Sequence, residues 1–375
     1  MMLTMTCLLV SNQESNGART EALRGRAERR EPHDVKVLVF GAGAVGGSVC
    51  GWIASRHAST RLLARGETAE AIRANGITLY RGDRPDKRDN VPVKVVSQLN
   101  EAADADVVLL AVKNYNLEEA AKQVRDALRD RPIIVGLQNG VENQAILPLY
   151  FSRVIYGIVG YNAWVDAPGV IGYQKKGPLV LGILDSGLQS ETRAVAEALN
   201  RGVETVVTDR FQDAAHSKLI LNLTNSLTTL VGHTIREISS PALLQSALSS
   251  MLYEGIQIVR AAGYREWRIG GMPSWLLMTA SAKLPQRLTR GLFKRNLKKM
   301  VLSSMAQDVI RRGGHDSELD SINGYLLRLA DQHGLHVPYN RAVYRICREE
   351  FDKAGFEPID VAEVWRRIRT MHGAP

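Results

Sequence analysis

The sequence predicts an α/β half built on a mostly parallel sheet, followed by an all-α half. Three observations carry this expectation. Short apolar runs rich in β-branched residues alternate with helix-compatible segments up to about residue 207. A turn of the form G-x-G-x-x-G joins the first of these runs to the first helix. From residue 208 the pattern changes to long helical periods, at 211–231, 241–262, 318–333 and 340–353, with hardly any β-branched alternation. The expected organisation is an extension over 1–34, an α/β domain over 35–207 and an all-α domain over 208–375. An irregular and then basic stretch at about 264–302 looks inserted into the last of these.

The extension is polar and rich in Arg and Glu. Its short apolar run (Leu3, Met5, Cys7 to Val10) has no basic residues before it and no small-residue cleavage pattern after it, which argues against a secretory signal. Glu14, Glu21, Glu28 and Glu31 argue against an organelle transit peptide, so a disordered extension or an over-called start is expected. The strand candidates are Val35–Phe40, Thr60–Ala64, Val107–Val112, Ile133–Leu137 and Val154–Val159. Two more, Val170–Tyr173 and Leu179–Gly182, are expected to form an antiparallel extension of the sheet.

At 375 residues, 45% hydrophobic and 23% charged, the chain has the composition of a two-domain globular protein. No apolar stretch reaches the 18 or so residues of a membrane span. Cys7, Cys50 and Cys347 are scattered and form neither a disulfide framework nor a metal-ligand spacing, which suits a reducing, cytoplasmic setting. His315 and His333 show no metal spacing either. The net charge of +9 comes almost entirely from residues 265–300, where nine Lys and Arg face one acid, Glu266. A nucleic-acid partner is therefore not expected. Leu288, Leu292 and Leu297, interleaved with cations after Pro285, allow an amphipathic helix on anionic lipid. A solvated face or a lid over an acidic-substrate site is the preferred reading, and membrane contact is not expected. Monomer and homodimer both remain open.

Gly41, Gly43 and Gly46 follow a strand and open a helix, the placement a dinucleotide requires of a Rossmann-type domain. The first glycine permits the tight turn, the second lets backbone approach a pyrophosphate, and the third allows close packing. The turn residues Gly41, Ala42, Gly43, Ala44, Val45 and Gly46 are thus candidates for cofactor binding. At the end of the second strand, where an acid would bond a bare ribose, stands Arg65. A guanidinium there suits a 2′-phosphate, so NADP(H) is favoured over NAD(H).

Carbonyl reduction needs a proton donor and groups that hold the substrate. Lys218 and Asn222 lie four apart on one face of an apolar helix that also carries Asn225. Burial there would make Lys218 a better acid near neutral pH. A lysine snorkelling from a core helix is the competing reading, and it accounts less well for the asparagines.

Taken together, the Gly41–Gly47 turn, Ala64-Arg65-Gly66, Val112-Lys113, Gln138-Asn139-Gly140 and Lys218-x-x-x-Asn222 resemble the ketopantoate reductases (2-dehydropantoate 2-reductases). Ser303-Ser304-Met305-Ala306-Gln307-Asp308 and Glu318-Leu319-Asp320-x-x-Asn323-Gly324 extend the resemblance to about Phe351. It implies that Lys218 donates a proton to the substrate carbonyl and that Glu318 closes the site from the helical domain. It implies that Asn222, Asn225 and the segment Ser304, Met305, Ala306, Gln307 bind substrate. Lys113 and Asn139 match positions near the nicotinamide ribose, and Ala163 offers a backbone contact to the cofactor. The implied reaction is NADPH-dependent reduction of a small 2-oxo acid, ketopantoate first among them, which would be a step of pantothenate synthesis. The reverse oxidation, another 2-oxo acid, and a non-catalytic NADP-binding protein are the alternatives.

The sequence also departs from the family pattern. The second asparagine, usual eight residues after the lysine, is replaced by Ser226, and a further one some ten residues on meets Thr234-Ile235-Arg236. Counting places Asp316 where the family glutamate falls, whereas the following Leu-Asp-x-x-Asn-Gly frame selects Glu318. The longer 264–302 stretch resembles a subgroup whose substrate need not be ketopantoate.

Overall fold

In chain order the strands are β1 (Val37–Phe40), β2 (Thr60–Leu63), β3 (Ile77–Arg81), β4 (Arg88–Val91), β5 (Lys94–Val96), β6 (Val107–Leu110), β7 (Ile133–Gly136), β8 (Val154–Val159), β9 (Ala163–Ala167), β10 (Val170–Tyr173), β11 (Leu179–Gly182) and β12 (Thr205–Val207). The computed structural model describes residues 35–298, 300–311 and 317–371. The extension 1–34, with Cys7, lies outside the described residues, as do His315 and Lys299. From Lys36 onward the chain forms one compact unit.

Eight strands make one sheet in the order β12-β11-β8-β7-β6-β1-β2-β5. All neighbours are parallel except β11, which runs antiparallel to β8. Every residue of β1, β2, β6, β7 and β8 is buried, which is why these strands read as continuous apolar runs rather than alternating ones. Arg61 is the exception in composition, and its buried guanidinium reaches Asp104 at 2.6 Å and the Glu101 carbonyl at 3.1 Å.

A second, four-stranded sheet has the order β4-β3-β10-β9. It corrects part of the sequence expectation. Leu179–Gly182 does extend the main sheet antiparallel, but Val170–Tyr173 pairs with β3 and β9 in the smaller sheet. Pairing between strands about ninety residues apart leaves no local signal.

The helices that matter here are α1 (Ala44–Ala54), α2 (Gly66–Asn75), α3 (Leu117–Leu128), α4 (Gln189–Asn200), α5 (Phe211–Leu230), α6 (Pro241–Ala261), α7 (Trp275–Lys283), α8 (Gln286–Leu297), α9 (Tyr325–Gln332), α10 (Pro338–Phe351) and α11 (Val361–Met371). Helix α5 forms the centre of the helical half, and α6, α10 and the turn at Ser304–Ala306 pack around it. Its Leu219, Ile220, Leu223, Leu227 and Leu230 are at most 1% exposed, and buried polar residues fill much of the rest, as in a helix enclosed on most sides. Glu254 of α6 accepts from the Tyr339 and Asn340 amides and from Asn340 Nδ2, so a buried carboxylate caps the start of α10. That gives Pro338 and Asn340 structural roles.

The inserted stretch is pinned to both halves. Arg265 donates its amide to Asp213, Trp267 donates to Ser217 Oγ, and Lys175 donates to the Gly270 carbonyl. Among the described residues no helix is long and apolar enough to cross a membrane, and no cluster of His, Cys, Asp and Glu is arranged to hold a metal.

Candidate active site

The turn between β1 and α1 follows from its glycines. Gly41 sits at φ +117°, and a Cβ there would press on the Ala111 carbonyl at 3.0 Å. A Cβ on Gly46 would lie 1.9 Å from the Gly41 carbonyl oxygen, so α1 starts in direct contact with its own entry strand. At Gly43 nothing lies within 4 Å of the same position. The open glycine faces the place where a ligand's phosphates would approach, at a helix N-terminus that favours negative charge.

Two cavities meet at this turn. One, of about 340 Å³, is lined by Gly41, Ala42, Gly43, Arg65, Thr68 and Pro168 among others, and no acidic residue lines it. Arg65 is exposed at the start of α2 and donates to Gln123 Oε1 at 2.9 Å. The lining fits the phosphates and ribose of a dinucleotide, with a cation rather than a carboxylate at the end of β2.

The second cavity, of about 270 Å³, shares Gly41 and Gly43 and continues past Ala44 and Val45 toward Lys113, Asn139 and Ala163. Its far wall comes from the helical half: Ser304, Gln307, Asp308 and Glu318. It opens beyond the carboxyl ends of β1, β6 and β7, next to the point where strand order reverses. Gln307 donates to the Ala163 carbonyl at 3.3 Å, bridging the two walls.

A charged cluster occupies this wall. Lys113 Nζ lies 2.6 Å from Asp308 Oδ2 and 3.5 Å from Glu318 Oε2. Glu318 Oε2 also accepts from Asn139 Nδ2 at 3.1 Å and from Ser304 Oγ at 3.4 Å. Burial pulls the Lys113 pKa down, but Glu318 and Asp308 outweigh it and the net shift is upward, so the ammonium is retained. Asn114 Nδ2 donates to the Asn139 carbonyl and to Ser321, and Gln138 Nε2 donates to the Leu110 and Val112 carbonyls. These bonds hold the loops after β6 and β7. Glu318 precedes a five-residue π-helical turn, Asp320–Gly324, that contains Asn323, a geometry frequent at functional sites.

Lys218 and Asn222 occupy successive turns of α5 and do not line this cavity. Among the described residues, Lys218 has no hydrogen-bond or ion-pair partner. The residue is only partly accessible to solvent. Burial, with Lys175 adding to it, brings its pKa down to about 8. Asn222 is 6% exposed and its Nδ2 has no acceptor, a condition that costs about 1–3 kcal/mol unless a ligand supplies one. Asn225 is half-buried. Two residues before Lys218, His216 stacks on Tyr264 at 3.6 Å, donates from Nδ1 to the Gln212 carbonyl and accepts from Tyr325 at Nε2. Burial lowers its pKa to about 4, so the ring is neutral.

Several expectations are refined by this geometry. Met305 and Ala306 are 0% and 3% exposed, and they anchor the segment in the core rather than face the cavity, leaving Ser304 and Gln307 as its lining residues. Ser226 is fully buried, accepting from Asn323 Nδ2 at 3.0 Å and donating to the Leu223 carbonyl. Asp316, selected by counting, lies outside the described residues, whereas Glu318 stands in the cluster. Asp308 was quoted only as part of a motif, and no local signal marks it as the partner of a lysine 195 residues away.

Known proteins resemble this chain over both of its halves. The family model described as ketopantoate reductase PanE/ApbA matches residues 37–186, and its C-terminal counterpart matches 210–350. A 2-dehydropantoate 2-reductase of Pyrococcus horikoshii is 26% identical over 328 residues, spanning 86% of this chain and 99% of that protein. A PanE/ApbA family ketopantoate reductase from Ralstonia eutropha JMP134 superposes with a TM-score of 0.67 at 27% identity, over 85% of this chain and 99% of that one. D-mandelate dehydrogenase, solved with NADH and anilino(oxo)acetate, shares the fold at a TM-score of 0.69 and 18% identity, over 86% of this chain and 100% of its own. The two family matches cover both halves of the molecule in order, and the chain belongs to the ketopantoate reductase family of oxidoreductases.

Proposed function

We propose that this chain reduces a small 2-oxo acid to the 2-hydroxy acid with NADPH, and that ketopantoate is the first substrate to test. The observation that carries the reading is the pairing of a partnerless, enclosed Lys218 with the unsatisfied amide of Asn222 one turn away on α5. Neither group has a role in holding the fold, and both cost stability where they stand.

The reduced nicotinamide supplies a hydride to the carbonyl carbon when bound. Gly41 to Val45, with Gly46 setting the helix position, would hold the pyrophosphate; Arg65 would take the 2′-phosphate. Lys113, Asn139 and the Ala163 carbonyl lie where the nicotinamide end would be held. Lys218 gives its proton to the carbonyl oxygen as that oxygen gains the electron pair of the broken π bond, and is left as a neutral amine. Solvent reprotonates it through the accessible side of the residue. Asn222 Nδ2 donates to the substrate, with Asn225, Ser304 and Gln307 as further contacts. Glu318 holds Lys113 and Asn139 in place from the helical side.

Consumption of NADPH, followed at its absorbance against a panel of 2-oxo acids, tests this. Selective turnover of ketopantoate, lost in Lys218→Met with NADPH binding intact, supports it; full turnover in that variant removes Lys218 from the role. A second reading, the same chemistry on a different 2-oxo acid, is favoured by Ser226. The position of the family's second asparagine here points into the core. Turnover of an aryl or branched 2-oxo acid in preference to ketopantoate would select it.

A further inference from the structure

Helices α7 and α8 both pack on α6, and each has a seated side and an exposed side. The inward face of α8 is Gln286, Thr289, Phe293 and Leu297, spaced three, four and four residues apart. Gln286 donates to the Ala242 carbonyl and to Ser246, Gln245 donates to Thr289, and Phe293 and Leu297 pack on the core. Trp275 and Met278 seat α7 in the same way.

The opposite face is exposed and combines leucines with cations. Leu276 is 78% exposed, Leu288 68% and Leu284 47%. On α8 and just after it, Arg287, Arg290, Lys294, Arg295 and Lys298 are exposed, and among the described residues none has an acidic partner. Residues 267–307 contain no Asp or Glu. The lid reading finds no support in placement, since no residue of α7 or α8 lines either cavity at the dinucleotide turn.

From this we infer that the α7–α8 face docks on an anionic lipid bilayer, its leucines entering the headgroup boundary and its cations meeting lipid phosphates. Charge and apolar exposure together select this occupant. A nucleic acid would use the cations but has no place for the exposed leucines, and no aromatic residue of α7 or α8 is exposed to stack on bases. A second copy of the chain in a two-fold contact would set the same cations against each other.

The test is co-sedimentation of the full chain with phosphatidylcholine vesicles, with and without about 30% phosphatidylserine. Binding is expected only with phosphatidylserine, and it should fall steeply at about 0.5 M salt. Arg287→Glu with Lys294→Glu and Arg295→Glu should weaken it at least a hundredfold, at roughly fivefold or more per charge. Leu276→Ser with Leu288→Ser should weaken it at least about tenfold. NADPH affinity, unchanged in both variants, shows that they are folded; if the charge variant fails that check, the leucine variant alone decides. No pelleting at low salt overturns the inference. So does wild-type binding by the leucine variant, which would leave only a polyanion-binding surface.

Discussion

Lys218 gives the sharpest test of the chemistry because its titration and its role point the same way. With an ammonium that titrates at about 8, roughly nine-tenths of the enzyme carries the proton at pH 7 and about one-tenth at pH 9. Reduction at saturating substrate should therefore fall about tenfold between those values, whereas an ordinary lysine would leave it flat. The reverse oxidation needs the neutral amine, so its rate should rise over the same range. Lys175 contributes to the depression, and Lys175→Met should move the inflection upward. Lys218→Met should cost about 10²- to 10⁴-fold in turnover. The same substitution should stabilise the fold, since holding the ammonium charged costs up to about 3 kcal/mol, less to the extent that water reaches it. That penalty is full below pH 8 and disappears as pH climbs past the ordinary lysine value, so the variant's advantage should shrink in alkaline denaturation series. Initial rates from pH 6 to 10 in both directions, with denaturant midpoints alongside, measure all of this. A flat reduction profile to about pH 10 refutes the assignment of Lys218 as donor.

Three further outcomes follow from the same geometry. Arg65→Ser should weaken NADPH binding about 10- to 100-fold and leave NADH within about threefold, measured by fluorescence titration. Gly46→Ala should compromise folding, because its Cβ would meet the Gly41 carbonyl at 1.9 Å, while Gly43→Ala should keep wild-type stability and lose only dinucleotide affinity; thermal melts with and without NADPH separate the two. His216, neutral down to about 4, binds protons in the unfolded chain first, so stability should drop by roughly 3 kcal/mol as pH falls from about 6.5 to about 4, a slope that His216→Phe should flatten.

What the sequence made legible was local. The buried runs of β1, β6, β7 and β8 are continuous because a sheet of this kind is covered by other elements on both faces, and the glycine turn carries its reason in its spacing. Arg65 could be placed because a strand end precedes it by a fixed count. The smaller sheet was missed: β4 is Arg-Asp-Asn-Val, mostly exposed and without alternation, and β10 joins it by pairing with distant β3 as well as with β9. Met305 and Ser304 are adjacent in the chain, yet one is core and the other lines a cavity, a difference that depends on which way a three-residue turn docks on α5. The cluster of Lys113, Asp308 and Glu318 joins the two halves, and its acids are recognisable only once those halves meet.

Ser226 shows where counting along a motif and packing give different answers. If the position eight residues after the lysine still faced the substrate, Ser226→Asn would restore the missing amide and raise kcat/KM for ketopantoate. The structure places that side chain elsewhere. Ser226 is 0% exposed, takes a hydrogen bond from Asn323 Nδ2, and its carbonyl accepts a 3.6 Å contact from buried Cys347. An asparagine there adds an amide to a filled core, where overpacking costs about 1–3 kcal/mol and an unsatisfied donor adds to it. Ser226→Asn should accordingly lower the denaturation midpoint and leave kcat/KM for every 2-oxo acid unimproved. A rise of about tenfold for ketopantoate, with stability intact, would show that α5 turns this position toward the substrate after all. The asymmetry between the halves has the same origin. The proposed cofactor contacts come from strand ends whose order is set by the sheet, whereas the proposed amide contacts to substrate come from one buried helix, where a rotation of about 100° per residue decides whether an amide meets a ligand or another core side chain.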